Sequence, residues 1–443
     1  MQFQNTHRQA LLALTASLAC AGTASAAAFQ LKEQSAAGQG RAFAGSISQE
    51  GDATVVANNP AAMTLLNGSL LQTDLAVIDY SVKFSGTGKD ALGRPLAGGN
   101  GGDAGDTAPV PSLYFHTPLT DQVHLGLFIT APFGFKTEYA DGWIGRYNGI
   151  KTELKAVDMG AAGAYKVNDM LSLGASLFVE RLDVKLRDAV DFGAMLAGAR
   201  VPGFLPGSAD GSIDINGHHT ALGYTLGALL RPSEGLSVGL AYRSEVKHKP
   251  DDVGVNFSAP GSANAVLSAV QPSTFVNTTA RTELILPSSW TVSASQQLNE
   301  RWTVMADYAH TAWSRFNNVV LDFDSQLPNE TLRFGYRNTS FYSVGAEYKA
   351  DESWILRGGI GYDQTPMTNA LRDVRVPDVD RRWLSLGATW RASKRMSYSL
   401  GYTHLFLKDA AVNLTSPTAS TLQGSYKLGS NILAVSAQYA WIP

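Results

Sequence analysis

From Ser69 to Trp441 the sequence is one long series of segments that alternate apolar with polar or small residues, and this period of two is what most limits how the chain can fold. Leu171, Leu173, Ala175, Leu177 and Val179 share one face, with Ser172, Gly174, Ser176 and Glu180 on the other. Tyr342, Val344, Ala346 and Tyr348 alternate with Ser343, Gly345, Glu347 and Lys349, and Met396, Tyr398, Leu400 and Tyr402 with Ser397, Ser399, Gly401 and Thr403. Successive side chains of a strand point to opposite faces, so each segment has one apolar and one polar face.

A soluble sandwich gives the same alternation, and two features argue against it. The apolar faces end in Tyr or Trp, as at Tyr342 and Tyr348, which fits aromatic girdles at the two membrane interfaces. The connections also alternate in length. Short turns fall around 117–121, 167–170, 231–235, 298–301, 349–353 and 391–395, and long ones around 85–108, 137–152, 188–217, 249–280, 324–332, 364–380 and 409–422. These thirteen connections separate fourteen strands, near 69–84, 109–117, 122–137, 152–167, 170–187, 218–231, 235–248, 280–298, 301–323, 332–349, 353–364, 381–391, 395–409 and 422–441. An even strand count suits a bacterial outer-membrane barrel, and in lipid the sheet must close, because no backbone group can go unpaired there.

Fourteen strands leave a lumen that wall side chains cannot fill. The material available to fill it is residues 27–67, a stretch rich in Ala, Gly, Ser and Asn without sustained alternation. The predicted fold is therefore all-β: an antiparallel transmembrane barrel over 68–443 with residues 27–67 as a hatch, or plug, in the lumen. Residues 1–26 read as an export signal, with an apolar core over 11–21 and Ala24-Ser25-Ala26 as the cleavage site. Cys20, the single cysteine, lies inside that signal, so neither disulfides nor thiolate chemistry is expected of the mature chain. Charged residues make up 16% and the net charge is -3, which gives no nucleic-acid footprint.

Several blocks resemble the FadL family of outer-membrane long-chain fatty-acid transporters, which has relatives for aromatic hydrocarbons. They are AAFQLKEQSAAGQGRAFAG at the start of the hatch, NNPAAM at 58–63, APFGFKTEYADGWIGRY at 131–147, LPSSWTVSASQQLNERWTVMADYAHTAWSRF at 286–316, GGIGYDQTP at 358–366 and VPDVDRRWLSLG at 376–387. Their order follows the family's over nearly the whole mature chain. The resemblance implies a monomer that takes up a hydrophobic ligand passively. Extracellular loops catch the ligand, an apolar lumen pocket holds it, and it leaves sideways through a gap in the wall beside a kinked third strand once the hatch shifts. Pro132, Phe133 and Gly134 mark that strand here, and Pro and Gly both weaken a ladder. Trp441 takes the place of the C-terminal aromatic that the outer-membrane assembly machinery reads, with Ile442 and Pro443 after it.

A fatty acid needs an apolar pocket with a cation for its carboxylate, and the planar fork of Arg suits that best. The candidate head-group ligands are Arg187, at the end of the fifth strand, and Arg333 and Arg337, at the start of the tenth. The loops 188–217 and 249–280 are unusually apolar and could form the capture surface through Phe192, Met195, Leu196, Phe204, Leu205, Phe257, Leu267 and Phe275. The run from Phe192 to Ala199 could form an amphipathic helix. In the hatch, Phe29 lies near the mature N-terminus, and Asn58, Asn59 and Pro60 would set a tight turn into a short helix.

An aromatic-hydrocarbon or alkane importer would need no arginine, and the sequence does not separate the two. An open porin is disfavoured by the plug. An outer-membrane lipase is disfavoured because His218, His219, His310 and His404 lie in no recognisable nucleophile motif, and His218-His219 reads as polar filling at a strand start. No cofactor is called for, and no Cys, His or carboxylate cluster has metal spacing. The expected partners are the hydrophobic ligand, outer-membrane lipids and the assembly machinery.

Overall fold

A computed structural model describes residues 28–441. The proposed signal, with Cys20, and the final Ile442 and Pro443 lie outside the described residues.

Among the described residues, fourteen antiparallel strands form a closed wall. They are β1 Ser69–Lys89, β2 Thr107–Pro118, β3 Val123–Glu138, β4 Lys151–Lys166, β5 Leu171–Asp191, β6 Asp210–Ser233, β7 Leu236–Arg243, β8 Ser289–Gln297, β9 Trp302–Thr311, β10 Thr339–Lys349, β11 Trp354–Asp363, β12 Arg381–Arg391, β13 Met396–Leu407 and β14 Thr421–Trp441. Each pairs with the next, and β14 closes onto β1 from Ser69↔Trp441 to Lys89↔Thr421. Further short strands continue the wall beyond the long-loop end, among them Val253–Ser258 against β6 and Ala410–Thr415 against β14.

The outer face is apolar and exposed, as at Leu177, Leu222, Val344, Ile360, Leu386 and Leu400. Trp302, Tyr348, Trp354, Trp390, Tyr398 and Trp441 ring the short-turn end, and Trp290, Tyr308 and Tyr342 stand toward the other. This is the reverse of a soluble protein and fits a wall that faces lipid.

Residues 28–66 lie inside the barrel, and almost every one is buried. Helix α1, Ala36–Gly40, is capped by Ser35, whose Oγ accepts from Gly38 N. Short helix α2, Val55–Asn58, leads through Asn59 into a 3-10 turn, Pro60–Leu65, with Pro at its first position. Such a segment satisfies few of its own amides, so the wall accepts them. Asp74 takes Ala36 N at 2.8 Å, Gln72 takes Ala53 N at 2.9 Å and Asp307 takes Gly45 N at 2.6 Å. The fully buried Arg41 bridges hatch to wall, 3.5 Å from Asp52 and 3.0 Å from Glu347, which also binds Arg357. Inward glycines let the two backbones touch: a Cβ on Gly359 would lie 2.3 Å from the Arg41 backbone, and one on Gly387 would lie 2.7 Å from Gly40.

Several stretches expected as continuous strands are interrupted. The expected 280–298 strand breaks into Thr278–Arg281, Leu284–Leu286 and β8, and 301–323 is interrupted by a 3-10 turn at Trp313–Arg315. The expected 332–349 strand is interrupted over 334–338. A regular strand sends alternate residues outward, and these breaks let extra apolar residues turn inward. Leu284, Leu286, Trp313, Phe316 and Tyr336 pack with Phe29, Phe133 and Phe135 in one cluster.

Candidate functional site

The site begins at the third strand. Alternation holds in β3 up to Ile129 and then fails, for Thr130 through Phe135 are all buried. The β3–β4 register shifts between Thr130 and Phe133, with two residues opposite Val157. On the other side the β2–β3 ladder ends at Leu113↔Ile129, so residues 107–112 of β2, including Pro109 and Pro111, pair only with β1. Pro132 and Gly134 therefore lie where the wall ladder is interrupted.

The hatch occupies that interruption from inside. Leu31 N donates to Pro132 O at 2.8 Å, Gly134 N donates to Phe29 O at 2.8 Å, and Gln30 bridges to Phe133. At its other end, Ala28 N donates to Asp378 in the 364–380 loop at 2.9 Å. The Phe29 ring is held between these anchors, 4.7 Å from Trp313 and 5.0 Å from Phe316.

Above Phe29 lies a narrow cavity of about 90 Å³. Its walls include Phe135, Leu154, Leu182, Val184, Ile215, Val253, Leu284, Leu321, Leu332 and Phe334, and they are almost wholly carbon. Polar groups reach it from Arg375, His218, His219, His248, Thr152 and Thr282. Arg375 is buried between Asp188 at 2.5 Å and Asp373 at 2.9 Å, and its Nε has no hydrogen-bond partner among the described residues. Burial alone would lower the arginine pKa, but Asp188 and Asp373 outweigh it and hold the guanidinium charged, above its ordinary value. His219 meets His248 at 3.3 Å, His248 meets Glu180 at 3.0 Å, and Arg243 joins Glu180 to Asp158 at 2.8 and 2.7 Å.

That chain of groups leads behind the Phe29–Leu31 segment to a second, half-polar chamber lined by Gln30, Lys32, Asn58, Pro132, Arg243 and Asp307. Lys32 Nζ sits 4.4 Å over the Phe341 ring there. Asn59 does not reach this chamber; its amide donates to Ile47 O and Ala228 O, and Pro60 is buried beside it.

The loop residues divide. Helix α3, Phe192–Gly198, and helix α4, Gly261–Val270, pack together, and Phe192, Leu196 and Leu267 form the buried core between them. Met195, Phe257 and Phe275 line an outer groove with Tyr147, Leu327 and Pro417. Leu205 is exposed and Phe204 half-buried outside the groove.

The three arginines expected as head-group ligands stand outside the apolar cavity. Arg187 lies 3.7 Å from Asp214 and lines a polar opening with Arg146 and Asp210. Arg333 is exposed, between the lining residues Leu332 and Phe334. Arg337 is exposed, and its Nε donates to Thr365 O at 3.4 Å. Of the groups that do line the cavity, His218 and His219 read in the sequence only as polar filling at a strand start, and the sequence singles out neither His248 nor Arg375. Its one available signal was the dense charge of Arg372-Asp373-Val374-Arg375 within a loop.

Residues 17–441 match the family described as outer membrane protein transport protein (OMPP1/FadL/TodX). The chain belongs to this family. It is 31% identical to outer membrane protein P1 of Haemophilus influenzae, over 90% of this chain and 89% of that protein. It is 29% identical to the long-chain fatty acid transport protein of Escherichia coli K12, over 87% and 89%. Its fold matches the crystal structure of a Pseudomonas aeruginosa FadL homologue with a TM-score of 0.86 and 26% identity, covering 94% of this chain and all of that one. The Pseudomonas putida toluene transporter TodX matches at a TM-score of 0.68 and 17% identity, over 93% and 99%, a likeness of fold alone. As a member of the FadL/TodX family, the chain is an outer-membrane transporter of hydrophobic compounds in a Gram-negative envelope, and not an enzyme.

Proposed function

We propose that this FadL-family chain carries long-chain fatty acids passively across the outer membrane. The observation that carries this reading is the carbon-lined cavity with one buried arginine at its edge and a hatch phenylalanine as its floor. An acyl chain suits the carbon walls, and Arg375, whose Nε has no hydrogen-bond partner among the described residues, is the cation that lines them. The relatives at about 30% identity that are named fatty-acid transporters support the same choice.

The ligand is first caught in the outer groove at Met195, Phe257 and Phe275, with Arg187 drawing the carboxylate at the neighbouring polar opening. It then enters the cavity and meets Phe29. Displacing Phe29 strains the Ala28–Asp378, Phe29–Gly134 and Leu31–Pro132 hydrogen bonds together, because all three flank one ring. Their release draws the hatch away from Pro132, Phe133 and Gly134, and the ligand leaves sideways through the interrupted ladder into the bilayer.

A second reading rests on a specific observation: Arg375 already has two carboxylate partners, so an uncharged aromatic hydrocarbon or alkane could occupy the cavity without it. Titration of the purified protein with oleate, oleyl alcohol and toluene separates the two. The fatty-acid reading expects oleate to bind at least tenfold more tightly than the alcohol. Equal binding of oleate and alcohol, or preferred binding of toluene, favours the second.

A further inference from the structure

We propose that the lipid-facing surface of β10–β13 holds a phosphorylated acyl lipid of the outer leaflet, with Arg382 as its phosphate ligand. The wall pairings place Tyr342 beside Tyr362, Tyr362 beside Arg382, and Arg382 beside Phe406. Tyr308, paired with Tyr342, continues the row on the other side. The outward row is thus aromatic on both sides of a single cation.

The height of that cation fits a head group. Arg382 and Trp390 lie at opposite ends of β12 on the same outward face. About eight residues of strand tilted by ~40° raise Arg382 roughly 20 Å above the Trp390 girdle. An apolar band of ~25 Å then puts the guanidinium at the outer rim of the hydrocarbon, where lipid phosphates lie.

Beneath it is a depression of about 510 Å³ on the outer wall. Val344, Ile360 and Leu384 flank it, and the backbone at Gly361 forms part of its floor. An acyl chain lying there would have its phosphate at Arg382. The carboxylate beside the site is already engaged, for Asp380 accepts from Tyr362 Oη at 2.8 Å and from Thr365 N at 2.9 Å. Arg337, also exposed, donates to Thr365 O at 3.4 Å, and Thr365 N shares Asp380 with the Tyr362 hydroxyl, so a second cation stands at the same end of the groove. Two cations above a carbon groove suit a lipid with several acyl chains and more than one phosphate. We assign the occupant as lipid A, the phosphorylated glycolipid of the outer leaflet. A girdle arginine that merely extends its charge toward water would show no such preference.

Native mass spectrometry of the full-length protein in detergent, titrated with diphosphorylated lipid A, tests the assignment. The expected result is a retained lipid A adduct that falls at least tenfold in Arg382→Gln and further in Arg382→Gln with Arg337→Gln. Enzymatically dephosphorylated lipid A should bind wild type as weakly as the double variant binds lipid A. Equal lipid A binding by wild type and double variant overturns the proposal, as does binding that survives removal of the phosphates. Phosphatidylglycerol binding as tightly as lipid A overturns the choice of lipid. The dephosphorylation arm uses only the wild-type protein, so the test stands even if a variant folds poorly.

Discussion

At the scale of single residues, two buried ionisable groups matter most. Arg375 faces a carbon-lined cavity while Asp188 and Asp373 hold it charged. If its free Nε takes the ligand carboxylate, Arg375→Gln should weaken oleate binding by about 1.5–3 kcal/mol, the worth of one charge-assisted hydrogen bond. Oleyl alcohol should change by less than threefold, and a fluorescence titration of both ligands reads the difference. Equal losses for the two would make Arg375 a structural cation. The second group is Glu33 of the hatch. Burial lifts its carboxyl from 4.5 to about 7, offset only in part by its backbone hydrogen bonds and Arg381. The folded state therefore keeps a proton that the unfolded chain has lost, so this group makes stability fall as pH rises from about 4.5 to about 7 and level off above. A shift of that size is worth about 3 kcal/mol. Glu33→Gln should flatten that part of the melting profile in detergent, and an unchanged slope would remove Glu33 as its cause.

At the scale of elements, the proposed exit joins the third strand to the hatch. The register slip leaves Ala131 and Pro132 opposite a single partner, and hatch residues 28–31 pair with the slipped stretch. Deleting Pro132 restores one residue against one. The wall should then close, with uptake lost and equilibrium binding kept; uptake at the wild-type rate would place the exit elsewhere. A disulfide between Gln30→Cys and Phe133→Cys, which already face each other in a bridge, should block uptake when oxidised and release it on reduction. Full transport by the oxidised protein would mean that the hatch need not move there. The sequence announced this element unevenly. Pro132 and Gly134 were legible as a weak point because their backbone chemistry is local. Phe29 was legible only as part of the hatch, because what gives it a role is packing against Trp313 and Phe316, nearly three hundred residues away in sequence.

At the scale of the whole molecule, the wall was the most legible part. Lipid on one side and a packed hatch on the other impose a period of two that composition alone cannot hide, and alternating loop lengths revealed the strand count. What stayed hidden was everything set by contact between distant segments. Inward Gly359 and Gly387 look like ordinary small residues until the hatch backbone is placed against them. The arginines at strand ends looked like ligands by position, yet Arg333 points away from a cavity that its neighbours Leu332 and Phe334 line. Arg375 gave no comparable signal, since its partner Asp188 comes from another loop.

The central claim is that this barrel carries long-chain fatty acids through a cavity closed by its hatch. The most direct measurement is uptake of radiolabelled oleate by Gram-negative cells that lack their own transporter, with and without this protein folded in the outer membrane. The account predicts saturable oleate uptake that depends on the protein and is lost when the Gln30→Cys and Phe133→Cys pair is oxidised. Absence of oleate uptake, with entry of toluene or an alkane restored in the same cells, would contradict it.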